Sequence, residues 1–133
     1  MKAMNDEVKF NSQICTSVEQ SKRLLELGLK SETADMKHFF DNRNDYSFFH
    51  HWECIPYEWD KEFLVDSENI PAWSLHRLIE MCNDSHFTIS LYYNEVSVNG
   101  DLFEVYDGTF DNLVSVIEWL IKNRYINKKY LKQ

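Results

Sequence analysis

At 133 residues, with 44% hydrophobic and 15% aromatic content and only three glycines and two prolines, the chain is expected to fold as one globular domain, 1–133, and not as a disordered segment. No uncharged run nears the ~20 apolar residues of a helical membrane span, and the polar stretch to Gln13 lacks the apolar core of a secretory signal, so the expectation is a cytoplasmic protein with no membrane association. Residues 1–121 set nine cations against twenty-two acids, while Lys122, Arg124, Lys128, Lys129 and Lys132 fall in a final dozen without an acid; a body this acidic argues against phosphate-backbone binding, except through that basic tail, itself best read as a solvated helix end.

Met1–Gln13 and residues 127–133 are expected to fray. Thr16-Ser17-Val18-Glu19 has the spacing of a capping box and predicts a helix through Leu27, with Gly28 in the position that favours a left-handed residue. On its exposed face Glu19 and Arg23 stand at i, i+4, a favourable pairing. Thr33–Phe40, Tyr46–Ile55 and Glu62–Asp66 read as short strands, with Asp41–Asp45 as a turn cluster and Pro56 ending the second strand. Ile70-Pro71 marks a boundary, because the residue before proline avoids the helical region. Ser74 then caps a helix through Cys82 whose inner face is Leu75, Leu78, Ile79 and Cys82, and Asn83-Asp84-Ser85 closes it.

From His86 the period changes to two: Phe87, Ile89, Leu91 and Tyr93 alternate with polar positions. Val96 and Val98 extend the apolar set if a bulge or turn at Asn94-Glu95 resets the register. Asn99-Gly100 supplies the two positive-φ residues of a type I′ turn, so Phe103 and Val105 return on a partner strand. The closing helix, Phe110–Arg124, carries Phe110, Leu113, Val114, Ile117, Leu120 and Ile121 on one face, with Val116 and Trp119 widening the stripe and Thr109 as its expected N-cap. The fold class that follows is α+β, a single layer of antiparallel sheet with about three helices packed on one face.

Four segments taken in order carry a resemblance: Ile14–Ser21 continuing through Leu25–Leu29, Thr33–Met36, Ile70–Leu75, and Val116–Ile126 with Glu118-Trp119-Leu120-Ile121. Together they resemble a family of short uncharacterised proteins of Bacteroidetes and their phages or mobile elements. The resemblance spans about half the chain and leaves residues 37–69 unplaced. It implies a cytoplasmic accessory protein of mobile-element origin and supplies no cofactor and no catalytic residue.

Signatures of chemistry are weak. His51-x-x-Cys54, with His50 beside it, has the types for a zinc half-site, which Cys15, His76 or His86 would have to complete in space, but no second ligand pair has matching spacing. Asp84-Ser85-His86 holds triad types side by side, and adjacency is no evidence for a triad. Glu58, Asp60 and Glu62 form an acidic run more consistent with solvated surface than with a cation site. Cys15, Cys54 and Cys82, odd in number and widely spaced, read as buried thiols of a reducing compartment. Gly-rich phosphate loops and hydrolase signatures do not occur in the sequence.

The unusual feature is residues 39–68, which hold nine of the twenty aromatic residues together with eight acids and two bases. Aromatics at that density are expected either to close the core, the slightly favoured reading, or to leave some exposed as a protein contact surface. The expected function is therefore a non-enzymatic protein-interaction module that binds a protein partner or itself, with Trp52, Tyr57, Trp59 and Trp73 as anchors and no metal or cofactor. The alternative is a small-molecule-binding or enzymatic domain with a pocket near the 74–82 helix.

Overall fold

Ser17, not Thr16, starts the first helix. In the computed structural model, which describes residues 13–41, 53–56, 67–92, 95–103 and 108–132, α1 spans Val18–Glu26. The Ser17 hydroxyl accepts from the Gln20 amide at 3.1 Å, and the Gln20 side chain accepts from the Ser17 amide at 2.9 Å. The box is thus shifted one residue from the expected Thr16/Glu19 pair. The reason is that the Thr16 hydroxyl is used elsewhere: it accepts from the Trp73 amide at 3.0 Å and bonds the Ser21 hydroxyl at 2.7 Å, fully enclosed.

Ser74 caps α2 (Leu75–Asp84) as expected, accepting from the Arg77 amide at 3.1 Å. Its buried face is Leu78, Met81 and Cys82, with Leu75 and Ile79 partly covered. The last helix, α3, spans Thr109–Lys122. Gly108 occupies its N-cap position without a side-chain hydrogen bond, so the expected cap at Thr109 is not formed.

The three α-helices among the described residues end the same way. Gly28, His86 and Arg124 have φ of +106°, +70° and +61°, and the next amide in each case reaches back to a carbonyl five residues earlier: Leu29 to Leu24 (3.2 Å), Phe87 to Cys82 (2.9 Å) and Tyr125 to Leu120 (2.8 Å). This is the Schellman arrangement, which satisfies otherwise orphaned carbonyls and turns the chain sharply.

The strands divide between two sheets instead of joining one. β1 (Met36–Asp41) lies between β2 (Glu53–Pro56) and β3 (Ser67–Ala72), antiparallel to both. Pro71, expected to mark a boundary, sits inside β3 opposite Lys37. β3 is an edge strand, so the missing amide hydrogen is tolerated there. The second sheet is a meander of β4 (Ile89–Tyr92), β5 (Glu95–Val98) and β6 (Asp101–Phe103). Asn99 and Gly100 adopt φ of +52° and +88°, and Val98 pairs with Asp101 across the expected turn. The reset near Asn94 is a reversal between β4 and β5, with Tyr92 opposite Glu95. Of the other strand expectations, Thr33–Phe40 is realised as a short 3-10 turn (Ser31–Thr33) and then β1, while β2 covers the end of Tyr46–Ile55. Glu62–Asp66 lies outside the described residues.

α3 packs its apolar face on β5, α1 and α2. Phe110, Leu113, Val114, Val116, Ile117 and Leu120 meet Val96, Val98, Leu24, Leu78, Met81 and Trp73 in one core. Arg23 binds both oxygens of Glu118 at 2.5 and 2.6 Å, tying α1 to α3. Residues 127–132, expected to fray, are held: Lys30 donates to the Tyr130 carbonyl and Lys132 to the Gly28 carbonyl, each at 2.8 Å, and Tyr130 is buried. Cys82 is a buried free thiol, pushed up to about 12 by desolvation. Cys15 is equally enclosed but disulfide-bonded, so the reading of all three cysteines as thiols fails there.

Candidate functional site

Of the four expected anchors, Trp52, Tyr57 and Trp59 lie outside the described residues. Trp73 is fully buried, and its indole donates to the Thr33 hydroxyl at 3.0 Å. A buried indole with its one donor satisfied is a core residue, not a surface anchor.

An aromatic cluster that the sequence reading did not single out stands at the surface instead. Two of the three helix-ending turns build it. The +70° turn at His86 delivers Phe87 and the +61° turn at Arg124 delivers Tyr125, both beside Trp119 of α3. Phe87 meets Trp119 edge-on, with centroids 5.6 Å apart and planes at 86°. Tyr125 lies 5.6 Å from Phe87 and 5.4 Å from Trp119. Phe103 of β6 closes the group 6.3 Å from Trp119. These separations are those of favourable edge and offset ring pairs.

The cluster is half open to solvent. Trp119 is 36% exposed, Tyr125 52% and the neighbouring Leu102 55%. Phe87, Val98, Leu102, Phe103 and Trp119 line a hollow of about 220 Å³, with Asn99 and Asp101 at its polar side. That is below the ~300–1,000 Å³ of typical small-molecule sites, so its size suits one or two side chains of a macromolecule. Lys122, exposed and ion-paired with Glu118 at 2.9 Å, and exposed Arg124 follow Trp119 at the end of α3.

A second hollow, of about 400 Å³, lies beside α2, where the alternative pocket was expected. Its polar groups are engaged with one another. Arg77 donates to the Thr33 carbonyl at 2.7 Å, pairs with Glu80, and lies over the Tyr130 ring at 5.5 Å. Tyr130 donates its hydroxyl to Asp84, which also meets the Lys129 ammonium at 3.0 Å. The Tyr130 hydroxyl and then Lys129 hold the Asp84 carboxyl below its ordinary range. Desolvation first, and the Asp84 hydrogen bond second, raise the tyrosine well above its ordinary value. This ion-paired network fastens the 127–132 segment to α2, with acid and base answered inside it.

Asp84, Ser85 and His86 diverge as the turn reading expects. Asp84 faces Tyr130, and the Ser85 hydroxyl bonds the Met81 carbonyl and the Asn127 amide at 2.9 and 2.8 Å, while His86 is exposed. Among the described residues no group of three or more His, Cys, Asp or Glu side chains could hold a metal ion. His50, His51, Glu58, Asp60 and Glu62 fall outside them, and among those described no helix is long and apolar enough to cross a membrane. No protein-family model, curated protein or solved structure matches the chain.

Proposed function

We propose that the chain is a non-enzymatic interaction module, a small accessory protein that engages another protein or a second copy of itself. The contact surface is the hollow around Phe87, Phe103, Trp119 and Tyr125. The observation that carries this reading is the half exposure of a tryptophan and a tyrosine packed ring against ring. Rigid aromatic groups bury much area on binding and lose little side-chain freedom, which is why they dominate interface energetics.

The test uses Trp119→Ser and Tyr125→Ser, singly and together, each checked for an intact fold by thermal unfolding. Sedimentation velocity reads self-association, and capture from a lysate of the native host, with wild type and variants in parallel, reads a different partner. The proposal expects at least one of the two to be lost in the double variant. Folded variants that leave both unchanged would refute it.

A further inference from the structure

Cys15 is disulfide-bonded and Cys82 is a free thiol. The chain has one other cysteine, Cys54. The backbone brings that residue to the right place: Cys54 lies directly opposite His38 in the β1–β2 ladder, and the Cys15 sulfur is 3.8 Å from His38 Nε2. Directly opposed residues of an antiparallel pair share a face, with Cβ atoms ~4.5–5.5 Å apart. His38 thus marks the spot where the segment before α1 meets the middle of β2.

We propose that Cys15 and Cys54 form the bridge, and that it is a redox-controlled lock on β2. That strand is four residues long, lies at the sheet edge and pairs with β1. Its counterpart on the other side of β1, β3, has six paired positions. The segment that carries Cys15 is fixed independently of β2. Its Thr16 amide donates to the Trp73 carbonyl at 2.8 Å, and the Thr16 carbonyl accepts from His38 Nε2 at 2.6 Å. The bridge therefore joins a weakly paired strand to a firmly held one. A dithiol reductant opens it by exchange: the reductant's two thiols become a disulfide, and the Cys15–Cys54 bond takes up the two electrons and two protons to give two thiols. In an oxidising compartment β2 is locked; in a reducing one it is held by its ladder bonds to β1.

The test uses the full chain poised in mixtures of oxidised and reduced dithiothreitol. After denaturing quench and alkylation, intact mass should show one labelled thiol in the oxidised form and three in the reduced form, with peptides containing Cys15 and Cys54 joined in the first. Hydrogen exchange should show the amides of residues 53–55 opening at least tenfold faster on reduction, while those of α3 stay unchanged. Cys54→Ala should show the faster exchange with or without reductant; the wild-type titration stands by itself if that variant does not fold. Three labelled thiols in oxidised dithiothreitol, a bridge that includes Cys82, zinc bound to the three-thiol form, or β2 exchange indifferent to reduction would each overturn the proposal.

Discussion

Thr16→Val tests the joint between the start of α1 and the end of β3. The Thr16 hydroxyl accepts from the Trp73 amide at 3.0 Å and bonds the Ser21 hydroxyl at 2.7 Å, and all three residues are fully buried. Valine keeps the shape and removes the oxygen. The Trp73 amide is then a buried donor without a partner, at ~1–3 kcal/mol, and Ser21 loses a bond worth ~0.5–1.5 kcal/mol. The expected loss is about 2–3 kcal/mol, a fall of roughly 6–12 °C in the melting midpoint for a domain of this size. Ser21→Ala alone should cost about 1 kcal/mol, because Thr16 still serves the tryptophan amide. In the double variant the shared bond can be lost only once, so the cycle should show about 1 kcal/mol of coupling. Urea unfolding at 25 °C, extrapolated linearly, measures all three. A Thr16→Val variant within about 0.5 kcal/mol of wild type, or fully additive effects, would refute this account of the joint.

Three further expectations rest on local geometry. Hydrogen bonds from Arg23 first and Lys122 second depress the Glu118 carboxyl below its ordinary value; its contribution is therefore present above the unfolded-state value of ~4.3 and is lost as pH falls through the folded-state value. Glu118→Gln should be destabilising at pH 7 and converge on wild type in acid, as thermal melts across that range would show, whereas a constant difference would contradict the ion-pair reading. Gly28→Ala should cost about 1–2 kcal/mol in chemical unfolding, since φ is +106° there while a Cβ would meet nothing within 4 Å, which makes the cost conformational and not steric. Arg124→Gly, at +61°, should change stability in the opposite direction by about 0.5–1 kcal/mol.

The parts of the fold legible in the sequence are those where one local requirement has one chemical answer. Asn99-Gly100 could be placed because a type I′ turn needs two positive φ values, and the α3 stripe because only a helix puts Phe110, Leu113, Ile117 and Leu120 on one face. Thr16 and Ser17 are different: both fit the S/T-x-x-E/Q spacing, with Glu19 and Gln20 respectively. Which hydroxyl caps α1 is decided by the Trp73 amide, 57 positions away, and no local pattern contains that. The division into two sheets is likewise a matter of strand partners distant along the chain.

The surface cluster was illegible for a related reason. Periodicity assigns Trp119 to the rim of an apolar stripe, where core and surface readings are equally consistent. What exposes it is its company: Phe87 and Tyr125 reach it through left-handed turns at His86 and Arg124. A glycine announces such a turn, as Gly28 does, but arginine has no preference for positive φ, and histidine, although enriched there, adopts it too seldom to mark a turn. Trp73 is the converse. It was expected as a contact anchor, yet the Thr33 hydroxyl satisfies its indole and lets it be enclosed. Whether a large aromatic is core or contact surface therefore depends on which backbone turns and hydroxyls meet it, and both arrive from other parts of the chain.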